Sequence, residues 1–510
     1  MGKPFRAGTL VNPVSRLDDP RLEAIHDASM SILEDPGLVC HNQQAAEIFQ
    51  RAGCRVDPHD SGGAPVVRVP RRVVMDAVQS APSRVILGAR EPGNRLVLDA
   101  DVPRVYFGTG SETNIFLDTE LEEFVSRSDP STVLTYPVGK QQRGSISLLC
   151  RSAKLCNALE NVDFFIRNVN VQDEGIDEGN KDVNVFMAAL LYCEKHVQGG
   201  VSNLASLPSV LQLGRKVAGG EEAFRENPVL SFIACVVKSP LQIVDDTARK
   251  VIEIAGRGVP LVISSSPQGG STAPIQEEGM VAMINAEILA GITLTQLVNP
   301  GTPVLYGAVP VRTRLDTLHD FYGVAEFAHY NCDCVQMARR YGIPCYSSAG
   351  VADSKVPGYQ ATLDKVFSHL TVAQSGAQYV HYAFGLLDKT NIFCPLQAVI
   401  DDANVGMVKR IVAPPAFEPS EVDESVAEIR KIMASDQRLF VRSIRKRIRK
   451  GLISEPHSLR HTDTAEGVLE QAHEKLASIE ASEPHRLPET VAEQMFGSVP
   501  GLLPASHFHE

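Results

Sequence analysis

Eight short runs rich in β-branched and aromatic residues recur between residues 105 and 384, each followed by a stretch whose apolar positions have helical spacing. They are VYFGTG from Val105, VDFFIRN from Val162, HVQGGVS from His196, VLSFIACV from Val229, PLVISSS from Pro260, PVLYGAV from Pro303, IPCYSSAG from Ile343 and YVHYAFG from Tyr379. After a longer first gap their starts lie about 31 to 43 residues apart, the length of one strand, one crossover helix and two loops. The rhythm predicts an α/β fold, a TIM (β/α)8 barrel over residues 104–400. On such a barrel, chemistry belongs at the C-terminal ends of the strands.

Outside that rhythm the pattern changes. Residues 19–53 have the spacing of two helices broken at Asp35-Pro36-Gly37, and residues 60–103 alternate in short segments around a helix after Pro70. Residues 1–103 are therefore expected to be an N-terminal α+β extension ending in a β-rich lid or plug. Helical spacing at 420–450, 463–482 and 487–497 predicts that residues 401–510 are a helical extension wrapping the outside.

A chain of 510 residues that is 44% hydrophobic can bury one large core. A net charge of −12 argues against general nucleic-acid binding, because phosphate repels it. The exception is the basic run Arg442, Arg445, Lys446, Arg447, Arg449 and Lys450, either a solvated helix face or a docking patch for an acidic partner. Ten cysteines without C-x-x-C pairs, and a start MGKPFRAGTLVNP without an apolar signal core, lead us to expect a reducing cytoplasm and no structural disulfides. The apolar stretch from Met280 is broken by Asn285 and Glu287, which suits a buried crossover helix better than a membrane span.

Several strand ends carry unusual sequence. SSSPQGGSTAPI from Ser264 sets Pro267, Gln268, Gly269, Gly270 and Ser271 after a strand, either a close-approach loop with free N–H groups or a tight turn capped by Ser271 or Thr272. SSAGVADSKVPGYQ from Ser347 is a long polar loop holding Asp353, Ser354, Lys355 and Tyr359. Tyr106, Phe107, Tyr306, Tyr382 and Phe384 fall in or just past strands, beside Glu112 and His381. The chain has no tryptophan, so an aromatic cage for a cation would use Tyr and Phe faces, with Glu112 or Asp353 as counter-charge; the alternative for each ring is core packing.

Other signals carry less. His329, Cys332 and Cys334 fall in a helical stretch that turns the two cysteines to different faces, so no metal site is expected. Asp57-Pro58-His59-Asp60-Ser61-Gly62 spells D-x-H-x-x-G, the cobalamin axial-histidine signature, without the doubly wound domain that signature needs. P-loop, G-x-G-x-x-G and G-x-S-x-G motifs are absent.

SILEDPGLVCHNQQAAEIFQRAGCRVD, SPQGGSTAPI leading into MINAEILAGI, GVADSKVPGYQ, and PLQAVIDDANV with SLRHTDT together resemble the trimethylamine-corrinoid methyltransferase family, over about residues 20–495. The resemblance implies a TIM barrel that positions a methylated amine against the cobalt of a corrinoid (cobalamin) presented by a partner protein. Relatives acting on trimethylamine use pyrrolysine near SKVPGYQ. Here Val356 is the best match to that position, which makes the chain similar to the non-pyrrolysine branch and to glycine betaine-corrinoid methyltransferases. Ala403 in DDANV stands where an acidic residue is common in the family.

Methyl transfer to cobalt displaces the amine nitrogen, and a quaternary ammonium already carries the charge that makes it a good leaving group. The expectation is a quaternary-amine methyltransferase with Tyr106, Phe107, Tyr306 and Tyr382 as cage walls and Glu112 and Asp353 as counter-charges. His381 would donate to a substrate carboxylate, and Gln268, Gly269 and Gly270 would line the corrinoid-facing mouth. A tertiary-amine or sulfonium donor, or a barrel that binds methylated ammonium compounds without turnover, are the alternatives.

Overall fold

The computed structural model describes residues 5–58, 63–125, 131, 133–436, 439–449 and 465–509. Each of the eight apolar runs contains a strand: β1 Arg104–Phe107, β2 Phe164–Ile166, β3 His196–Gly199, β4 Leu230–Ala234, β5 Leu261–Ser265, β6 Val304–Ala308, β7 Cys345–Ser348 and β8 Tyr379–His381. Each strand leads to a helix: α1 Ile146–Ala158, α2 Lys181–Tyr192, α3 Leu207–Ala218, α4 Asp245–Gly256, α5 Glu277–Val298, α6 Ala325–Arg340, α7 Tyr359–Gln374 and α8 Pro395–Val412.

The strands pair in parallel, β2 through β8 in sequence order and β8 with β1, in one curled nine-stranded sheet. The ninth strand, Thr9–Leu10, pairs antiparallel with the free edge of β1. At the seam between β1 and β2 there is a parallel bridge, Gly108 to Phe164, and the Asp163 N–H donates to the Phe107 carbonyl at 2.6 Å. Gly108 is required there, because a Cβ would lie 2.2 Å from the Phe164 ring.

Both faces of the sheet are buried, which is why its strands read as nearly continuous apolar runs. The concave face holds Tyr106, Phe164, Val262, Leu305, Tyr346 and Tyr379 in one cluster. The hairpin Arg84–Leu87 with Leu96–Asp99 joins that cluster through Val85, Leu87, Leu96 and Leu98. The convex face packs on the helices in the main core. There α5 is buried along nearly its whole length, and its polar residues are satisfied by protein. The Asn285 amide donates to Ser29 and Tyr341, and Glu287 accepts from Ser239, Leu241 and Ser265.

Three features depart from the expectation. The long first gap holds a hairpin, Ile115–Val125 with Val133–Arg143, whose Pro137, Gly139 and run of glutamates obscured its alternation. Val66–Arg68 belongs to a separate sheet, paired with Leu38–Cys40 and Arg55–Asp57. Of the C-terminal helices, Ala465–Ala481 packs on α8 and α1, and Glu489–Phe496 on α3, but Pro419–Met433 buries no residue and does not wrap the body. SLRHTDT, His59 to Gly62 and Lys450 lie outside the described residues.

Candidate functional site at the strand C-termini

Period-2 alternation decides which candidates can meet, because neighbours along a strand point to opposite faces. Tyr106 is concave, but it points to the N-terminal end, where its hydroxyl donates to the Arg6 carbonyl at 3.1 Å. Phe107 faces outward, edge-on to the His369 ring at 6.0 Å. Tyr306 also faces outward; its hydroxyl donates to Asn285 Oδ1 at 2.8 Å and its ring stacks near Tyr341. Phe384 lies in the outer core. Of the four expected cage walls, only Tyr382 stands at the C-terminal end.

Tyr382 follows β8 with φ 71°, a left-handed conformation that costs a bulky residue energy. Its hydroxyl lies near Ser111, itself at φ 63°, whose side chain opposes the rise that burial gives the hydroxyl's pKa. Its ring lies 3.7 Å from the His381 ring, and His381 stacks on Tyr346 at 4.2 Å between centroids. Gly110 makes room for this stack, since a Cβ there would sit 2.8 Å from Tyr382 Cδ1. Burial pushes the Tyr382 and Tyr346 hydroxyls up, so both stay protonated.

Cys235, just past β4, lies near this stack. The residue is exposed, yet the groups around it desolvate its thiol and push its pKa up. Its Sγ is 2.9 Å from Ser264 Oγ, and its charge, when formed, would act on both Tyr382 and Tyr346.

A carboxylate whose charge reaches Tyr382 is Asp320, carried by a short strand Asp320–Phe321 beyond β6. It accepts from the Gln268 amide at 2.7 Å, and burial raises its pKa while Lys389 opposes that rise. Its charge acts on Tyr382 and on Tyr322. Among the described residues, no cation lies within ion-pair distance of Asp320.

The two expected counter-charges are already engaged. Glu112 is paired with Arg167 at 3.0 Å and Lys181 at 2.7 Å. Asp353 accepts from the backbone N–H of Gly323 at 2.7 Å and of Tyr322 at 3.1 Å, so it pins the loop that carries Asp320. Burial is the largest influence on Asp353 and raises its pKa.

His381 cannot be the expected donor. Its Nδ1 is 2.8 Å from the Ser347 carbonyl, which fixes the proton there, and burial lowers its pKa to about 3. Nε2 is then a lone pair, which repels a carboxylate.

After β5, the N–H groups of Ser271, Thr272 and Ala273 all point to the Gln268 carbonyl, and the Gly270 N–H to the Ala273 carbonyl. Gly269 leaves room for the Tyr330 hydroxyl, 3.0 Å from where its Cβ would be, and Gly270 takes φ 95°. These glycines build the tight turn, and the Gln268 side chain turns to Asp320. Beyond β7, Val356 in the loop and Tyr359 at the start of α7 are exposed, at 50% and 80%. On α6, His329 faces Glu277 at 2.8 Å while Cys332 faces the Thr371 carbonyl, so these two do not converge.

Asp320, Cys235, Tyr346, Ser111 and Lys389 were not legible as site residues. Tyr346 had a signal, an aromatic at a strand position two residues before a polar end. The others come from loops whose meeting is set by the fold.

The family model for trimethylamine methyltransferase (MTTB) matches residues 7–441. The trimethylamine methyltransferase MttB of Desulfitobacterium hafniense is 32% identical over 395 residues, covering 77% of this chain and 74% of that protein. The MttB of Methanosarcina thermophila is 29% identical, covering 84% and 83%. A glycine betaine methyltransferase of Desulfitobacterium hafniense is 25% identical, covering 79% and 78%.

Proposed function

This enzyme belongs to the trimethylamine methyltransferase family, and from that premise we propose that it moves a methyl group from a quaternary, betaine-type ammonium to the reduced cobalt of a corrinoid carried by a partner protein. The observation that carries the reading is the cluster of Tyr382, His381 and Tyr346 near the exposed Cys235, with Asp320 close by and in no ion pair among the described residues.

Aromatic faces attract a desolvated ammonium, and Asp320 compensates its charge. The residues then hold the cation, aim one methyl group outward and exclude water, which is positioning rather than acid–base catalysis. Lys389, whose charge is felt by Asp320 and Asp353, takes the role first given to His381 and meets the substrate carboxylate. The corrinoid supplies a nucleophilic metal centre. Exposed Ser266 and Gly270 at the rim fit an acceptor offered from outside. Asp57, the described start of the D-x-H-x-x-G run, is instead paired with Arg55 and Arg68.

We read the curled sheet as a closed (β/α)8 barrel, supported by the Gly108–Phe164 bridge, with residues 1–103 and 401–510 as its extensions. Ten free thiols suit a reducing cytoplasm.

A second reading, trimethylamine as donor, is favoured by the higher identity to the MttB proteins than to the glycine betaine enzyme. The test mixes the purified chain with a reduced corrinoid protein and either betaines or trimethylamine, following methylation by the corrinoid's visible spectrum. Methylation with a betaine supports the proposal; methylation with trimethylamine alone moves the assignment to the second reading, and none with either donor rejects both.

A further inference from the structure

Gln198 on β3 holds a buried carbonyl oxygen without a partner. Val197 beside it lies in the outer core, so alternation turns Gln198 to the concave face. The residue is 1% exposed, and among the described residues its Oε1 has no hydrogen-bond partner. An orphaned acceptor in such a place costs stability unless a ligand or a water meets it.

A chain of hydrogen bonds fixes which way its amide lies. The Gly88 carbonyl, 2.7 Å from His196 Nδ1, can only accept, so that nitrogen carries the proton. Burial keeps the ring neutral, which leaves Nε2 to accept from the Ser231 hydroxyl at 2.7 Å. Ser231 Oγ, its proton engaged, accepts from the Gln198 amide nitrogen at 3.2 Å. The oxygen of Gln198 is thereby held away from Ser231.

This oxygen stands at the level of the proposed site. In a closed eight-stranded barrel each strand is staggered by about one residue against the next. Followed with that stagger, the pairings lead from Gln198 through Phe232, Val262 and Tyr306 to Tyr346, with His381 one layer nearer the C-terminal end. Ile233 shares the His381 layer and packs against the concave cluster, yet it is only partly buried while Phe232 and Ala234 are buried. Open space thus reaches the layer just above Gln198.

We infer that Gln198 is a specificity-determining residue of the donor site, its carbonyl oxygen turned to the cationic head group across from Tyr346, with Ser231 and His196 as positioning residues. The inference rests on the proposed seating of an ammonium beside Tyr346 and Tyr382. Methyl groups on a quaternary nitrogen share its charge, so their C–H bonds are attracted to a carbonyl oxygen as they are to a ring face. Turned round, the same amide would present N–H donors and repel the group.

Calorimetry on the full chain tests this, with glycine betaine and with tert-butylacetate, which has the same shape but carbon in place of the charged nitrogen. The wild type should prefer the betaine. Gln198→Met should reduce that preference about fivefold. Ser231→Ala should reduce it by less, because the freed amide can turn, whereas Ser231→Thr and Gln198→Glu should keep it, since the hydroxyl or the oxygen remains. An unchanged preference in Gln198→Met overturns the inference, as does an equal loss of both ligands, the mark of a purely structural role. So does a wild type that binds neither compound. If the preference follows these variants but no corrinoid is methylated, the proposed activity falls and the inference stands.

Discussion

Lys365 Nζ lies 2.9 Å from Asp401 Oδ2, and neither side chain has any solvent-accessible surface. Lys365 also donates to the Gly350 carbonyl at 2.6 Å, while Asp401 accepts from the Gly385 N–H at 2.8 Å. Gly350 and Gly385, both at positive φ, are the turns that follow β7 and β8. The pair thus ties together the two loops that flank Tyr382. Burial pushes each partner toward neutrality, and their mutual attraction opposes it.

Lys365→Met should therefore destabilise the fold by about 3–5 kcal/mol, since it strands a buried carboxylate. Lys365→Met with Asp401→Leu should recover part of that loss. Urea unfolding measures both; equal losses in the single and double variants would show that the pair is not coupled.

Acid should unfold this protein early. Burial lowers His369 and His381 to about 3 and His196 to about 4, against an ordinary value of 6.5. Between those limits the unfolded chain binds more protons than the folded one, so stability is complete above 6.5 and falls as pH drops toward 3. Each histidine contributes a slope of about 1.4 kcal/mol per pH unit once the unfolded group is protonated. His369→Gln should flatten the stability curve between pH 4 and 6; an unchanged slope there would contradict the assignment.

Charge at the site should separate the ends of the donor. Asp320→Asn should raise the KM for any quaternary ammonium about tenfold, by loss of one desolvated charge contact. Lys389→Met should raise the KM for a betaine while sparing a tetramethylammonium donor, which has no carboxylate. Equal effects of Lys389→Met on both donors would remove the lysine from carboxylate recognition.

Cys235 is the one exposed cysteine of ten. A small maleimide should add once to the native protein, at Cys235, and slowly, because desolvation disfavours the thiolate. A bound ammonium donor should slow the addition further. Mass spectrometry of tryptic peptides reads this out, and addition at several sites, or no protection, would mean that the donor does not sit beside Cys235.

The eight strands were legible because burial on both faces demands unbroken apolar sequence, and that demand is local. The same burial hid the phase. In VYFGTG, Tyr106 and Phe107 look equally fit to face inward, yet one fills the concave core and the other meets α7. Tyr306 failed as a cage wall for the same reason. The hairpin between β1 and α1 was missed because only the base of its ribbon is buried, so little of it needed to be apolar.

Sequence by itself determined the strand–helix rhythm and the family, because both are written in spacing and in short ordered motifs. Only the tertiary structure decided that Asp320, Cys235, Lys389 and Tyr346 share the neighbourhood of Tyr382, and that Glu112 and Asp353 are already engaged. Those outcomes depend on which loops meet and which charges find partners across hundreds of residues, and no local pattern encodes that.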